Sequence, residues 1–219
     1  MVDDAMQEQQ LVDLKKEVCL MASIANDGFL QAWKAFEESD LNLAKSVIVR
    51  DEKLNVLAEK IFKMSLSLIA LQAPVATDLR TIGSYLKIVT DLERIGDLAV
   101  EIAKVVVRLE AKPFSIPLFQ IPEMAKKVKE IMDVSIKTLH SNDTRSPRLL
   151  DEMDDQIDRH FSQCFDYLEV SLEKNTSYIK EGLQLIKLIQ SLERIGDHAT
   201  NIGEWTLYIA TGSIADLNT

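Results

Sequence analysis

The chain is short of the residues that break helices and staple small folds. Its 219 residues include seven glycines, five prolines and two cysteines. So few turn formers argue against a sheet of many short strands and for long helices. Cys19 and Cys164 stand alone, without CxxC or CxxH spacing, each at an apolar helical position. They read as reduced core thiols, not as a disulfide or a metal pair. No run of about 18 apolar residues occurs, so no segment reads as membrane-spanning. The opening MVDDAMQEQQ is acidic and polar, unlike a secretory signal. Basic charge is also scarce, and the net charge is −10. That balance disfavours nucleic acid and anionic lipid as partners, and suits a protein that holds cations. Glycine-rich phosphate loops, nucleotide motifs and Ser-His-Asp sets are missing, so no catalytic or organic-cofactor residue is assigned. The expectation is a cytoplasmic helical protein.

What is present is periodicity. Apolar residues from Leu11 to Phe36 step by three and four, which predicts a helix from about Asp4 to Glu38. Asp40 is placed to cap a second helix with Ala44, Ile48, Asp51, Leu54, Ala58, Ile61, Ser65 and Leu68 on one stripe. Ala73-Pro74 interrupts, and a third helix carries Ile82, Leu86, Val89, Glu93, Gly96, Val100 and Ala103. KPFSIPLFQIP is the clear linker. Helices are then expected over about Pro122–Leu139, along a stripe from Leu150 to Leu168, and from near Thr176 to Tyr208–Thr211. A turn is expected at Ser141–Pro147, and Gly212 is a plausible stop.

The second half repeats the first. DLERIGD at 91–97 returns as SLERIGD at 191–197, and DEKLN at 51–55 finds a counterpart in DDQID at 154–158. Such self-similarity marks an internal duplication. We therefore expect an all-α fold of two tandem antiparallel three-helix bundles, joined end to end or side by side. The first repeat would span 1–112, the linker 113–121 and the second repeat 122–219.

The acids fall where leucines would be expected. Asp51, Glu93 and Asp154 occupy stripe positions of their helices. A carboxylate held in a bundle seam without a partner costs several kcal/mol or takes up a proton. Either Arg and Lys reach in, or a cation sits there. Glu93/Asp97 and Glu193/Asp197 each put two carboxylates on one face, although like charges one turn apart cost a few tenths of a kcal/mol. Gly96 and Gly196 cost about 1 kcal/mol each relative to Ala. Asp-x-x-x-Asn and Asp-x-x-x-Asp on the neighbouring helices complete four oxygen-bearing side chains per bundle. Glu101 and Asn201, one turn further on, could add an oxygen ligand or support. An all-oxygen set suits Mg²⁺, Mn²⁺, Ca²⁺ or oxidised iron, and lacks the Glu-x-x-His pattern of ferritin-like bundles. The competing reading is a solvated acidic face, with Arg94 and Arg194 in surface ion pairs and the glycines serving close packing. His198 has Leu98 as its counterpart and reads as a surface or supporting histidine. His140 and His160 have no partner legible in sequence, and Trp33 and Trp205 read as packing residues.

DEKLN, ATDLR at 76–80, DLERIGD, DDQID and SLERIGDHATNIGEW at 191–205 together resemble the PhoU family of bacterial phosphate-transport regulators. The resemblance covers nearly the whole chain, in order and spacing. It implies the same pair of three-helix bundles, and metal clusters on the Glu-x-x-x-Asp motifs. Iron is the first choice of ion, with manganese, magnesium or zinc as alternatives. Carried over by residue, one site would use Asp51, Asn55, Glu93 and Asp97, and the other Asp154, Asp158, Glu193 and Asp197. The family pattern would put Asn at position 101, as at Asn201, where this chain has Glu101. The resemblance further implies a cytoplasmic negative regulator of the phosphate regulon, and a homodimer is expected as the commonest oligomer. It would act as an adaptor between the ATPase subunit of the phosphate ABC transporter and the sensor histidine kinase, meeting the membrane only through these partners. Two alternatives remain open at this point: a carboxylate-bridged metalloenzyme, and a metal-free helical scaffold for another phosphate transporter.

Overall fold

The computed structural model describes residues 2–72, 74–112, 114–141 and 147–212. Every long element among them is helical. Helix α1 (Val2–Glu37) ends at Ser39, whose φ of 51° turns the chain left-handed. Asp40 then caps α2 (Leu41–Arg50), its carboxylate accepting from the backbone N–H groups of Asn42 and Leu43 at 2.9 Å each. This is the cap expected from sequence, and it satisfies two of the donors that a helix start leaves orphaned.

The expected single second helix is in fact two. After Arg50 the helix is interrupted at Asp51, which keeps αR dihedrals of φ −57° and ψ −33°, and the chain continues as α3 (Glu52–Gln72). The Asp51 carbonyl accepts from both Leu54 and Asn55, at 2.9 and 3.3 Å, so the ladder tightens locally to a 3₁₀-like step. DEK contains no Gly or Pro, so composition gave no warning. Helix α4 (Ala76–Arg108) follows, then α5 (Ile121–Ser141), α6 (Pro147–Lys174) and α7 (Ile179–Thr211). A 3₁₀ turn at Thr176–Tyr178, capped by Asn175, leads into α7. Gly212 stops α7 at φ 73°, its N–H returned to the Tyr208 carbonyl at 2.9 Å. Ala73, Pro113 and residues 142–146, where an interruption, the linker start and a turn are expected, lie outside the described residues.

The bundles lie side by side. Helices α4 and α7 form the seam between them and run antiparallel: Arg80 reaches the Ile209 carbonyl, Lys87 lies over the Trp205 ring, and Asp91 meets His198. Helices α1 and α3 flank α4, α5 and α6 flank α7, and α1 also touches α5. One hydrophobic core runs through both halves, from Leu14, Phe29 and Phe36 to Leu188, Ile195 and Ile202. Cys164 is buried and Cys19 half-buried, both as free thiols. Burial raises the Cys164 thiol to about 11 and also raises that of Cys19, opposite to the lowering that activates a cysteine.

The linker is fastened rather than loose. The Ser115 and Ile116 N–H groups donate to the Glu181 carboxylate at 2.9 Å each, and the Phe114 ring centroid lies 4.8 Å from that of Phe36. Phe119 stacks on Tyr167, and His160 Nδ1 sits 2.9 Å from Gln120 Oε1. The partner of His160 thus lies in the linker, 40 positions away, where sequence spacing could not show it.

Candidate metal centre

In the second repeat, α6 and α7 turn their acids toward each other. Asp158, Glu193 and Asp197 each offer an oxygen within 4.8 Å of the others, the one group of three potential ligand residues this close among the described residues. Asp154, one turn before Asp158, is 8% exposed, and its Oδ1 is buried with no hydrogen-bond partner. Gly196 makes room for it: a Cβ there would stand 3.3 Å from Asp154 Oδ1 and 3.0 Å from Ile157 Cδ1. Burial, then repulsion from Asp197 and Asp158, pushes the Asp154 carboxyl up to about 7, against a lowering contact from the Thr200 hydroxyl. Glu193 is raised by burial and by Asp197 and Asp158. Asp197 is raised by burial and by Asp158, opposed by His198 and Arg194. Asp158 is raised by burial and by Asp155. These four carboxyls resist ionising together, and a cation among them would relieve that strain. The donor set is all oxygen and fits a hard ion.

The first repeat places Asp51, Asn55, Glu93 and Asp97 on the corresponding elements, with Asp97 met by a local arginine. Burial raises Asp51, with further repulsion from Asp97, while a side-chain hydrogen bond with Asn55 pulls it back. Arg94 Nη1 donates to Asp97 Oδ2 at 3.1 Å. Glu101 turns away to Lys104 at 2.6 Å and Arg108 at 3.6 Å, which hold its carboxyl below the usual range. Gly96 is the tighter of the two glycines, since a Cβ there would come within 2.3 Å of Leu54 Cδ2 and 3.1 Å of Asp51 Oδ1.

Asn201 does not join the second set of acids. Its Nδ2 donates across the seam to Asp91 Oδ1 at 3.2 Å, and His198 Nδ1 lies 2.8 Å from the same oxygen. Asp91 is 8% exposed, so this is a buried polar clasp between α4 and α7. Sequence reading passed over Asp91 and left His198 as a surface or supporting group. One signal was available. In antiparallel helices related by duplication, position 91 faces 198 as 98 faces 191, and both pairs differ between repeats: Asp91 with His198, Leu98 with Ser191.

The fold is a duplicated all-helical bundle in which carboxylates at the α2–α3 junction and on α6 pack against glycines on α4 and α7. A family model described as "PhoU domain" matches twice, over residues 18–106 and 121–206, and the chain belongs to the PhoU family. It is 34% identical to the phosphate-specific transport system accessory protein PhoU homolog of Clostridium acetobutylicum, over 96% of this chain and 97% of that protein. The homolog of the same name from Synechocystis sp. is 30% identical, over 94% and 91%. The crystal structure of PhoU from Pseudomonas aeruginosa superposes with a TM-score of 0.90 at 27% identity, covering 94% of this chain and 99% of that one. The phosphate transport system regulatory protein PhoU from Streptococcus pneumoniae gives 0.88 at 26%, covering 96% and 99%.

Proposed function

We propose that this chain is an accessory protein of phosphate-specific transport that acts as a cytoplasmic negative regulator. It would be an adaptor between the transporter's ATPase subunit and a sensor histidine kinase, with a metal ion held by its second repeat. The relatives' names support the accessory role, and none of them names an enzyme. The observation that carries the metal reading is the buried, unpartnered Asp154 oxygen beside three converging carboxylates. Asp154, Asp158, Glu193 and Asp197 would hold the ion. The family resemblance makes iron the first choice, with manganese, magnesium or zinc as alternatives, and the lack of thiolate and imidazole donors disfavours zinc. The ion would neutralise the acids and fix α6 against α7, giving the adaptor surface a defined shape. For the first set the observed Arg94–Asp97 and Lys104–Glu101 pairs favour the scaffold reading, in which the acids are met by basic side chains. Homodimerisation belongs to the same proposal. No helix among the described residues is long and apolar enough to cross a membrane, which suits a protein reaching it through partners.

Elemental analysis of the purified protein by plasma mass spectrometry tests the metal, against a variant with Glu93, Asp97, Glu193 and Asp197 all changed to Ala. Metal in the parent and none in the folded variant is expected. A metal-free parent after incubation with iron, manganese and magnesium would remove the ion and leave the scaffold adaptor. Expression of a phosphate-regulon reporter reads the regulatory role, and an unchanged phosphate response on deleting the chain would sink it.

A further inference from the structure

The duplication that pairs Asp51 with Asp154 also pairs the outward faces of α3 and α6, so each face is a control for the other. The outward stripe of α6 runs Asp155, Arg159, Ser162, Asp166, Glu169 and Glu173, all exposed and all charged except Ser162. That is an ordinary solvated face. The matching stripe of α3 runs Glu52, Val56, Glu59, Lys63, Leu66 and Ala70, also all exposed. Val56 is 58% exposed and Leu66 48%, with Phe62 beside them at 51%. Phe165 repeats Phe62 on α6, and Val170 stands where α3 has Ser67. Along the stripe itself, however, Arg159, Glu169 and Glu173 are replaced by Val56, Leu66 and Ala70. Among the described residues α3 packs on α1, α2 and α4 alone, so this apolar stripe has no partner. A contiguous apolar face in place of a charged one marks an interaction surface.

The order of residues along the stripe selects the occupant. Its steps of four and three are those of a seam shared by two helices. Turned end for end about Ile61, the stripe sets Val56 opposite Leu66 in a second copy and Glu59 opposite Lys63, and symmetry repeats both contacts. A shift of one heptad either way would set Val56 against Glu59, or Leu66 against Lys63. Only the centred register matches apolar to apolar and acid to base. On α6 the same turn sets Asp155 against Glu173 and leaves Asp166 without a base. Glu59 and Lys63 now pair with each other along their own helix, 64% and 72% exposed, and can re-pair across a seam.

We propose that a second copy of this chain docks on this face, α3 against α3, antiparallel about a two-fold axis at Ile61. Val56 and Leu66 make its apolar contacts, and Glu59 and Lys63 its crossed ion pairs. The inference rests on the homodimer reading above and supplies the face.

Sedimentation equilibrium of the whole protein tests it by charge exchange. Glu59→Lys sets base against base across the seam, and Lys63→Glu sets acid against acid. Each alone is expected to weaken the dimer by about tenfold or more. Mixing the two variants is the decisive arm, because one chain then offers two bases and the other two acids. A heterodimer of about the parent's affinity is expected, and pairing within one helix cannot produce it. Val56→Asp with Leu66→Asp should give a monomer whose helix content, by circular dichroism, matches the parent. Asp166→Lys, at the matching place on α6, should leave the dimer unchanged. A dimer that survives Val56→Asp with Leu66→Asp, single variants that fail to pair when mixed, or an equal loss from Asp166→Lys would overturn this face and leave homodimerisation through another. A parent that stays monomeric at every concentration would overturn both.

Discussion

In the second repeat Asp154 sits on an unbroken helix, buried, with one oxygen unpartnered and three carboxylates around it. Its counterpart in the first repeat, Asp51, sits at a helix break, bonded to a neutral Asn55 and beside an Asp97 already held by Arg94. The acid spacing along the chain is alike in both. The difference lies in how the demand for positive charge is met: in the first half Arg94 pairs with Asp97 at 3.1 Å, while in the second Arg159, Arg194 and His198 only partly oppose the raised carboxyls and Asp154 Oδ1 has no partner. A repeated motif therefore marks a repeated place in the fold, while its chemistry is set by the neighbours. The sharpest test removes the same pair from each half. Glu193→Ala with Asp197→Ala should weaken metal binding by more than about 100-fold, the scale of losing ligands outright rather than their supports. Glu93→Ala with Asp97→Ala should leave stoichiometry unchanged. Equal losses would break the comparison.

The clasp between the halves gives the next largest effect. Asp91→Ala strips the buried partner from His198 and Asn201 together, and leaving buried polar groups unsatisfied costs about 2–3 kcal/mol. A fall of that size in urea-unfolding stability is expected, and a loss below about 0.5 kcal/mol would show that water replaces the carboxylate.

The charge strain at Asp154 is readable in metal-free protein through its pH dependence. Its carboxyl is raised from an ordinary 3.8 to about 7 in the fold. The unfolded chain therefore gives up this proton first, and stability falls as pH rises through that window. Below it both states are protonated and no penalty exists. Above it the penalty is complete. Asp154→Asn should thus raise metal-free stability by about 2 kcal/mol at alkaline pH, a figure reduced for water around the exposed Asp158, and change little at pH about 4. With metal the sign reverses, because the ion needs the carboxylate. A pH-independent gain would mean that Asn merely packs better.

Much of this was legible beforehand because it is local. The Asp40 cap, the Gly212 stop and the 3.6-residue stripes each involve residues within a few turns of one another. So does the pairing of Glu193 with Asp197 on one face. The break at Asp51 was not legible, since Asp-Glu-Lys is a good helical phrase. Nor were the fates of Asn201 and Glu101: Asn201 is claimed by Asp91, 110 positions away, and Glu101 by Lys104 and Arg108. Position in a repeat told where these side chains stand, but not which partner wins them.

The glycines separate the halves by smaller energies. At Gly96 an added Cβ would stand 2.3 Å from Cδ2 of Leu54, a side chain 3% exposed that must shift to admit it. Overpacking of this kind costs about 1–3 kcal/mol, partly offset by about 1 kcal/mol of helix propensity. Gly96→Ala should therefore lose about 1 kcal/mol in thermal or urea unfolding. At Gly196 the nearest atom is the flexible end of Ile157 at 3.0 Å, so the two terms nearly cancel. Gly196→Ala should stay within about 0.5 kcal/mol of the parent, and a larger loss there than at Gly96 would invert the ranking.

The smallest expected effect falls at Ser191, which the duplication relates to Asp91. Where Asp91 reaches across to α7, Ser191 turns its hydroxyl back to the Lys187 carbonyl of its own helix at 2.9 Å. That carbonyl already takes part in the helix ladder, and such back-bonding slightly weakens a helix. Replacing Ser by Ala gives up this bond and gains helix propensity, leaving a net change below about 0.5 kcal/mol. Ser191→Ala should thus be near-silent in the same urea experiment in which Asp91→Ala is costly. A large loss at Ser191 would mean that the seam is fastened at both of its symmetry-related points. The single Asp91 clasp would then be half of a pair.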